Sequence, residues 1–153
     1  MATTAITANQ DAVIAEVFVA APPERIFQAL TDRSQVQAWG GNEQCALTAW
    51  EMDLRPGGRW LSIVKEKASG REWAHHGEIV ELEPPHLMVY TWFANFHEDP
   101  AKPSLVRWEL TATAGGTKVK VTHSGLATEP KAREDYRGGW PGVLEALKAY
   151  VER

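Results

Sequence analysis

Histidines are the side chains in this sequence best suited to acid–base or metal chemistry near neutral pH. The candidates are the pair His75-His76, the fragment His97-Glu98, and His123. Adjacent residues of a strand point to opposite faces, so the paired histidines cannot share a metal ion. The fragment His97-Glu98 lacks the second histidine, three residues later, that the zinc-protease pattern requires. We therefore expect no metal site, and no motif indicates a cofactor.

His123 ends an alternating run of Thr117, Val119 and Val121, which places it on the dry face of a strand. It is then either a polar anchor or acid–base group at one end of an apolar cavity, or a structural histidine bonded within the core. The structural interpretation is favoured. The same two interpretations apply to His75.

Nucleophile and phosphate-binding signatures are missing from the sequence. Ser124-Gly125 is not a nucleophile elbow, and the single cysteine, Cys45, lies near a predicted loop with no predicted basic partner. The glycine pairs Gly57-Gly58 and Gly138-Gly139 do not have the spacing of a phosphate-binding loop. A lone cysteine also excludes an internal disulfide, which favours a reducing, cytoplasmic location.

Tryptophan is unusually abundant, with seven residues in a chain of 153. Such large side chains form either a bulky core or the wall of an aromatic cavity. The residues that we expect to line a ligand cavity are Trp39, Trp60, Trp73, His75, Tyr90, Trp92, Trp108, His123, Trp140 and Leu144.

The elements that must position these residues begin with a strand over Val13–Val19, where apolar residues alternate. Two short helices follow. Pro22-Pro23 suits the first turn of a helix that carries Ile26 and Leu30, and Gly40-Gly41 ends the second helix.

From residue 46 to residue 126 the pattern predicts strands joined by tight turns, hence an antiparallel sheet. Ile79, Val80 and Leu82 cannot all face inward without a bulge. The main strands are predicted at Trp60–Val64, Trp73–Leu82, Leu87–Phe93, Leu105–Thr113 and Thr117–His123.

A long final helix is predicted from Pro130, with Tyr136, Trp140 and Leu144 on its apolar side. Pro141 cannot donate a backbone hydrogen bond and crowds the preceding turn, so we expect a kink or a fresh helix start there.

Composition and charge set the broad class of protein. A chain of this length fits a single domain, which we place at residues 11–153 after a flexible segment at residues 1–10. The net charge of -4 and the isoelectric point near 5.7 offer no basic footprint for nucleic acid. No apolar run approaches the roughly 18 residues of a membrane span, and no signal peptide is recognisable.

These elements occur in the order of an α+β helix-grip fold, with a curved antiparallel sheet around a long C-terminal helix. The sequence resembles START-like proteins, and within them the bacterial branch related to the C-terminal domain of the activator of heat-shock-protein ATPase. The matching motifs are Ala21–Asp32 with Trp39, Asp53–Trp60, Gly77-Glu78-Ile79, Pro84-Pro85, Tyr90-Thr91-Trp92, Gly116-Thr117, Thr122–Gly125 and Gly139-Trp140.

The resemblance implies a cavity between the sheet and the last helix, in a family whose members include hydrophobe carriers, polyketide cyclases and co-chaperone domains. The leading hypothesis is non-catalytic binding of a small hydrophobic or aromatic molecule. An alternative is a cyclase or dehydratase that uses His123 or His75 as general base and Tyr90 as donor. A third is a co-chaperone-like interaction module, or a homodimer, that uses Phe18 and the loop Phe93–Phe96.

Overall fold

Eight strands form one curved antiparallel sheet in the computed structural model, which describes all 153 residues. In chain order they are β1 Thr3–Ile6, β2 Val13–Val19, β3 Cys45–Met52, β4 Arg59–Glu66, β5 Glu72–Glu83, β6 Leu87–Ala94, β7 Ser104–Thr113 and β8 Gly116–Ser124. Across the sheet the order is β1-β2-β8-β7-β6-β5-β4-β3. A meander from β3 to β8 is thus completed by β2, and the predicted fold class is confirmed.

Three helices accompany the sheet: α1 Pro23–Thr31, α2 Arg33–Trp39 and α3 Pro130–Val151. The two short helices after β2 lie where the sequence predicted them. Helix α1 begins with Pro23 because its fixed φ suits the first turn, and it buries Ile26 and Leu30. Helix α3 packs mainly against β1 and β2 and also contacts α1 and α2. None of these helices combines the length and apolar character that a membrane crossing needs.

Alternating burial determines which face of the sheet is dry. Val106, Trp108 and Leu110 in β7 are at most 4 % exposed, whereas Arg107 and Glu109 between them reach solvent. The buried set belongs to the hydrophobic core, where Trp108 contacts Trp140 of α3, because β-strand side chains alternate between the two faces.

Three details differ from the sequence predictions or extend them. We expected residues 1–10 to be flexible, whereas Thr3–Ile6 form edge strand β1, which pairs with β2 through backbone hydrogen bonds. The small polar side chains of this segment do not indicate such pairing in the sequence. Helix α3 does not restart at Pro141; it continues through this residue at the cost of one backbone bond. The register shift between Ile79 and Glu81 leaves Val80 50 % exposed, so the bulge considered in β5 is present.

Gly77 in β5 is required by a close approach of the chain. A Cβ atom built on this residue would lie 1.9 Å from the Thr91 carbonyl oxygen and 2.7 Å from Nε1 of Trp60. The same indole nitrogen donates to that carbonyl at 2.8 Å. The Trp60 ring can therefore lie across the sheet only because Gly77 has no side chain.

We expect Gly77→Ala to lower the free energy of unfolding by about 3 kcal/mol, because the methyl group displaces backbone that is already packed. Urea denaturation followed by circular dichroism measures the change.

Gly138→Ala provides the control. A Cβ atom on Gly138 meets nothing within 4 Å, and the residue lies in helix α3. Alanine should therefore raise stability by up to about 1 kcal/mol. Equal effects of the two substitutions would contradict the steric explanation.

Candidate functional site

A cavity of about 270 Å³ lies between the sheet and helix α3, and 14 of its 18 lining residues are hydrophobic. No Asp, Glu, Lys or Arg side chain contributes to the wall. The lining residues are Leu30, Val36, Trp39, Gly40, Leu47, Trp50, Trp60, Ser62, Val64, His75, Met88, Tyr90, Trp92, Trp108, Tyr136, Gly139, Trp140 and Val143.

The position of α3 accounts for this cavity. The helix packs mainly on β1 and β2, so the concave surface of β3 to β6 is left to aromatic side chains and empty volume. Gly139 lines the cavity and is also exposed, whereas Trp39 and Leu47 are half-buried. The cavity therefore opens to solvent beside Gly139.

Seven of the ten predicted site residues line the cavity, and Trp73, His123 and Leu144 do not. Trp73 shares the face of His75 but lies past the end of the cavity, where the Arg71 guanidinium is 5.0 Å from its ring centroid. Leu144 is fully buried in the core, and so is His123.

Sequence reasoning missed several lining residues, among them Trp50, Ser62, Tyr136 and Gly139. Ser62 could have been found, because it is two residues from Trp60 in the same strand and thus shares its face. Trp50 lies in edge strand β3, whose alternation is weak. Its Nε1 is a buried donor without a partner.

His123 joins helix α3 to the sheet through a directed chain of hydrogen bonds. Trp140 Nε1–H donates to His123 Nδ1 at 3.2 Å, which leaves the proton on Nε2. Nε2 then donates to Ser104 Oγ at 2.7 Å, and the Ser104 hydroxyl donates to the Trp92 carbonyl at 3.1 Å. Every polar atom of this neutral imidazole is satisfied, so His123 has the structural role that the sequence favoured.

A second polar contact joins α3 to strand β6 and to the loop that follows it. The Tyr136 hydroxyl accepts a hydrogen bond from Trp92 Nε1 at 2.9 Å and lies 2.7 Å from His97 Nε2. Burial raises the pKa of Tyr136. Just beyond His97, the buried carboxylate of Glu129 accepts the backbone N–H groups of Glu98 and Asp99. The β6–β7 loop is thus attached to the start of α3.

His75 is the histidine that faces the cavity. Its Nδ1 lies 3.1 Å from Ser62 Oγ, and its ring packs 4.6 Å from that of Trp92. Burial, with a smaller contribution from the charge of nearby His97, lowers the pKa of His75 to about 4. The imidazole is therefore neutral at pH 7.

Tyr90 is a further polar residue of the cavity wall. Its hydroxyl oxygen accepts Trp108 Nε1–H at 2.9 Å, and the residue is 3 % exposed. Burial raises the pKa of Tyr90, so the hydroxyl keeps its proton. No side chain or backbone oxygen accepts that proton.

Stability should fall as the pH is lowered from 7 to 5. Burial lowers the folded-state pKa values of His75, His97 and His123 below the unfolded value near 6.5. The unfolded chain binds more protons in this range, so protonation favours unfolding. A fully buried histidine such as His123 contributes on the order of 2 kcal/mol of this loss by pH 5.

Urea denaturation at pH 7, 6 and 5 measures the profile, and His75→Gln should make it shallower because glutamine does not titrate. A free energy of unfolding that is constant or rises towards pH 5 would contradict this account.

Comparisons with known proteins agree with the fold. The sequence model described as "Activator of Hsp90 ATPase homolog 1-like protein" matches residues 20–152. No curated protein sequence matches the chain.

Solved structures of similar architecture come from several bacteria. Protein CV1439 from Chromobacterium violaceum is 27% identical, with a TM-score of 0.81 over 94% of this chain and 99% of that one. Protein MLL2253 from Mesorhizobium loti is also 27% identical, with a TM-score of 0.74 over 93% of this chain and 97% of that one. The AHSA1-like protein from Aeromonas hydrophila is 21% identical, with a TM-score of 0.74 over 92% of each chain. The chain therefore belongs to the family of Activator of Hsp90 ATPase homolog 1-like proteins, within the START-like helix-grip superfamily.

Proposed function

We propose that the protein binds one small, uncharged aromatic molecule in the cavity between the sheet and helix α3. The observation that carries this proposal is the wall itself, in which eight of the 18 lining residues are Trp or Tyr and none carries a formal charge. A charged ligand would lose its hydration there without gaining a partner, whereas an uncharged ring system loses little.

The volume of the cavity limits the size of the ligand. A cavity of about 150 Å³ is enough to hold benzene. The 270 Å³ available here therefore suits a molecule of about two fused rings.

Apolar burial supplies the affinity. A ligand with the surface of a tryptophan side chain, about 250 Å², gains about 6 kcal/mol at ~25 cal/mol per Å². Part of this gain offsets the lost translational and rotational freedom. We therefore expect a dissociation constant between about 40 µM and 1 mM.

The enzyme alternative has weaker support. It requires a histidine base and the Tyr90 hydroxyl to act on one ligand, but His123 uses both ring nitrogens within the core. His75 and Tyr90 do line the cavity. However, the hydrogen-bond partner of His75 is Ser62, an uncharged hydroxyl that orients the imidazole ring but does not increase its basicity.

The interaction-module alternative also has weaker support, because its aromatic residues have partners within the chain. Phe96 packs edge-on against His75, and Phe93 stacks on His76. Phe18 is 44 % exposed beside the Lys148 amine. A homodimer and a cytoplasmic location remain predictions from the sequence.

Filling the cavity from α3 tests the proposal. A Cβ atom on Gly139 meets nothing within 4 Å, so Gly139→Leu extends a side chain at the cavity opening without a clash at its first atom. We expect naphthalene to bind the wild-type protein at one site. The affinity of Gly139→Leu should be at least about tenfold lower, because the leucine occupies the volume of the ligand. Isothermal titration calorimetry measures both.

Gly138→Leu is the matched control, since Gly138 is the neighbouring helical glycine and does not line the cavity. Its affinity should stay within about twofold of the wild-type value. Failure of the wild-type protein to bind naphthalene, or equal weakening by the two leucines, would overturn the proposal.

A further inference from the structure

The cavity wall contains hydrogen-bond donors that the protein leaves unused. The first is at His75, whose Nδ1 pairs with Ser62 Oγ while Nε2 makes no bond within the protein. The side-chain polar atoms that are both fully enclosed and without a hydrogen-bond partner are Trp50 Nε1 and Arg133 Nε, and His75 Nε2 is not among them. His75 Nε2 is therefore accessible, and His75 lines the cavity.

The partner of Ser62 determines which proton His75 carries. Ser62 is 6 % exposed, and its hydroxyl has no acceptor other than His75 Nδ1. If Ser62 donates to Nδ1, the hydroxyl is satisfied and the imidazole proton is on Nε2. The opposite tautomer leaves a buried hydroxyl proton without an acceptor, which costs free energy. His75, which lines the cavity, thus carries an Nε2–H donor that is unused within the protein.

Tyr90 provides another unused donor, in addition to the Nε1–H of Trp50, which also lines the cavity. Its oxygen already accepts the Trp108 indole proton at 2.9 Å, and its own proton has no acceptor. His75 in β5 packs against Trp92, and Tyr90 in the neighbouring strand β6 packs against Trp60. Both side chains line the same cavity.

We propose that the bound molecule is an aromatic ketone or a closely related compound, whose carbonyl oxygen accepts the Nε2–H of His75, with the Tyr90 hydroxyl as a second donor. This inference rests on the proposed function and specifies its ligand. A carbonyl suits the site because it accepts hydrogen bonds, donates none and carries no charge. An acid would bring a charge for which the cavity offers no partner.

Two probes that differ in one group test the inference. Tetralin and 1-tetralone have the same two-ring skeleton, and a carbonyl in the ketone replaces one methylene. In a cavity without donors, tetralin binds more tightly because the carbonyl loses its hydrogen bonds to water. We expect the wild-type protein to bind 1-tetralone at least as tightly as tetralin in isothermal titration calorimetry.

His75→Phe should lower the affinity for 1-tetralone about tenfold, because one buried hydrogen bond is lost, and change that for tetralin by less than about twofold. His76→Phe is the matched control. It is the same substitution one residue later, on the opposite face of β5, where His76 stacks on Phe93. Both affinities should be retained in this variant.

Tighter binding of tetralin by the wild-type protein, or an equal loss of both affinities in His75→Phe, would overturn the carbonyl inference and leave the proposed function intact. Failure of the wild-type protein to bind either probe would overturn both.

Nuclear magnetic resonance of protein labelled with ¹⁵N-histidine gives a second test that requires no folded variant. His75 should show the Nε2–H tautomer, and its ¹⁵Nε2 signal should shift on addition of 1-tetralone more than on addition of tetralin. An Nδ1–H tautomer, or equal shifts with the two probes, would contradict the assignment of the donor.

Discussion

The hydrogen-bonded chain that runs from Trp140 through His123 and Ser104 to the Trp92 carbonyl is the interaction on which the rest of the structure depends. It joins helix α3 to strands β8, β7 and β6 in the middle of an otherwise apolar core. Because a buried imidazole without partners is costly, this chain restricts the rotation of α3 about its axis. The same rotation directs Tyr136 and Gly139 to the cavity.

The cavity follows from that placement. With α3 packed mainly on β1 and β2, the concave side of the remaining sheet is covered by large rings. Most of their donors bond within the protein: Trp60 to the Thr91 carbonyl, Trp92 to Tyr136, and Trp108 to Tyr90. These bonds hold the rings at fixed angles, so they line an empty volume instead of collapsing into it.

Two glycines have opposite effects on this wall. Gly77 lets the Trp60 ring approach the backbone of the next strand, where any side chain would collide. Gly139 leaves space at the opening of the cavity, in a helix that would be more stable with alanine there. The sequence Gly138-Gly139-Trp140-Pro141 is thus unfavourable for a helix and favourable for an accessible cavity. We interpret this as stability exchanged for access to the proposed binding site.

Local patterns in the sequence determined much of this protein. The alternation of apolar residues predicted the dry face of β7 and β8, and prolines and glycines bounded the helices. The abundance of tryptophan left a bulky core and an aromatic cavity open, and the resemblance to helix-grip proteins implied the cavity. Only the tertiary structure decided that Trp73 lies beyond the cavity, that His123 is used within the core, and that Ser62 and Tyr136 belong to the site. The physical reason is that periodicity specifies the face of an element on which a side chain lies. How far along that face the cavity extends, and which partner each polar atom finds, depend on the pairing of distant strands and on the placement of α3.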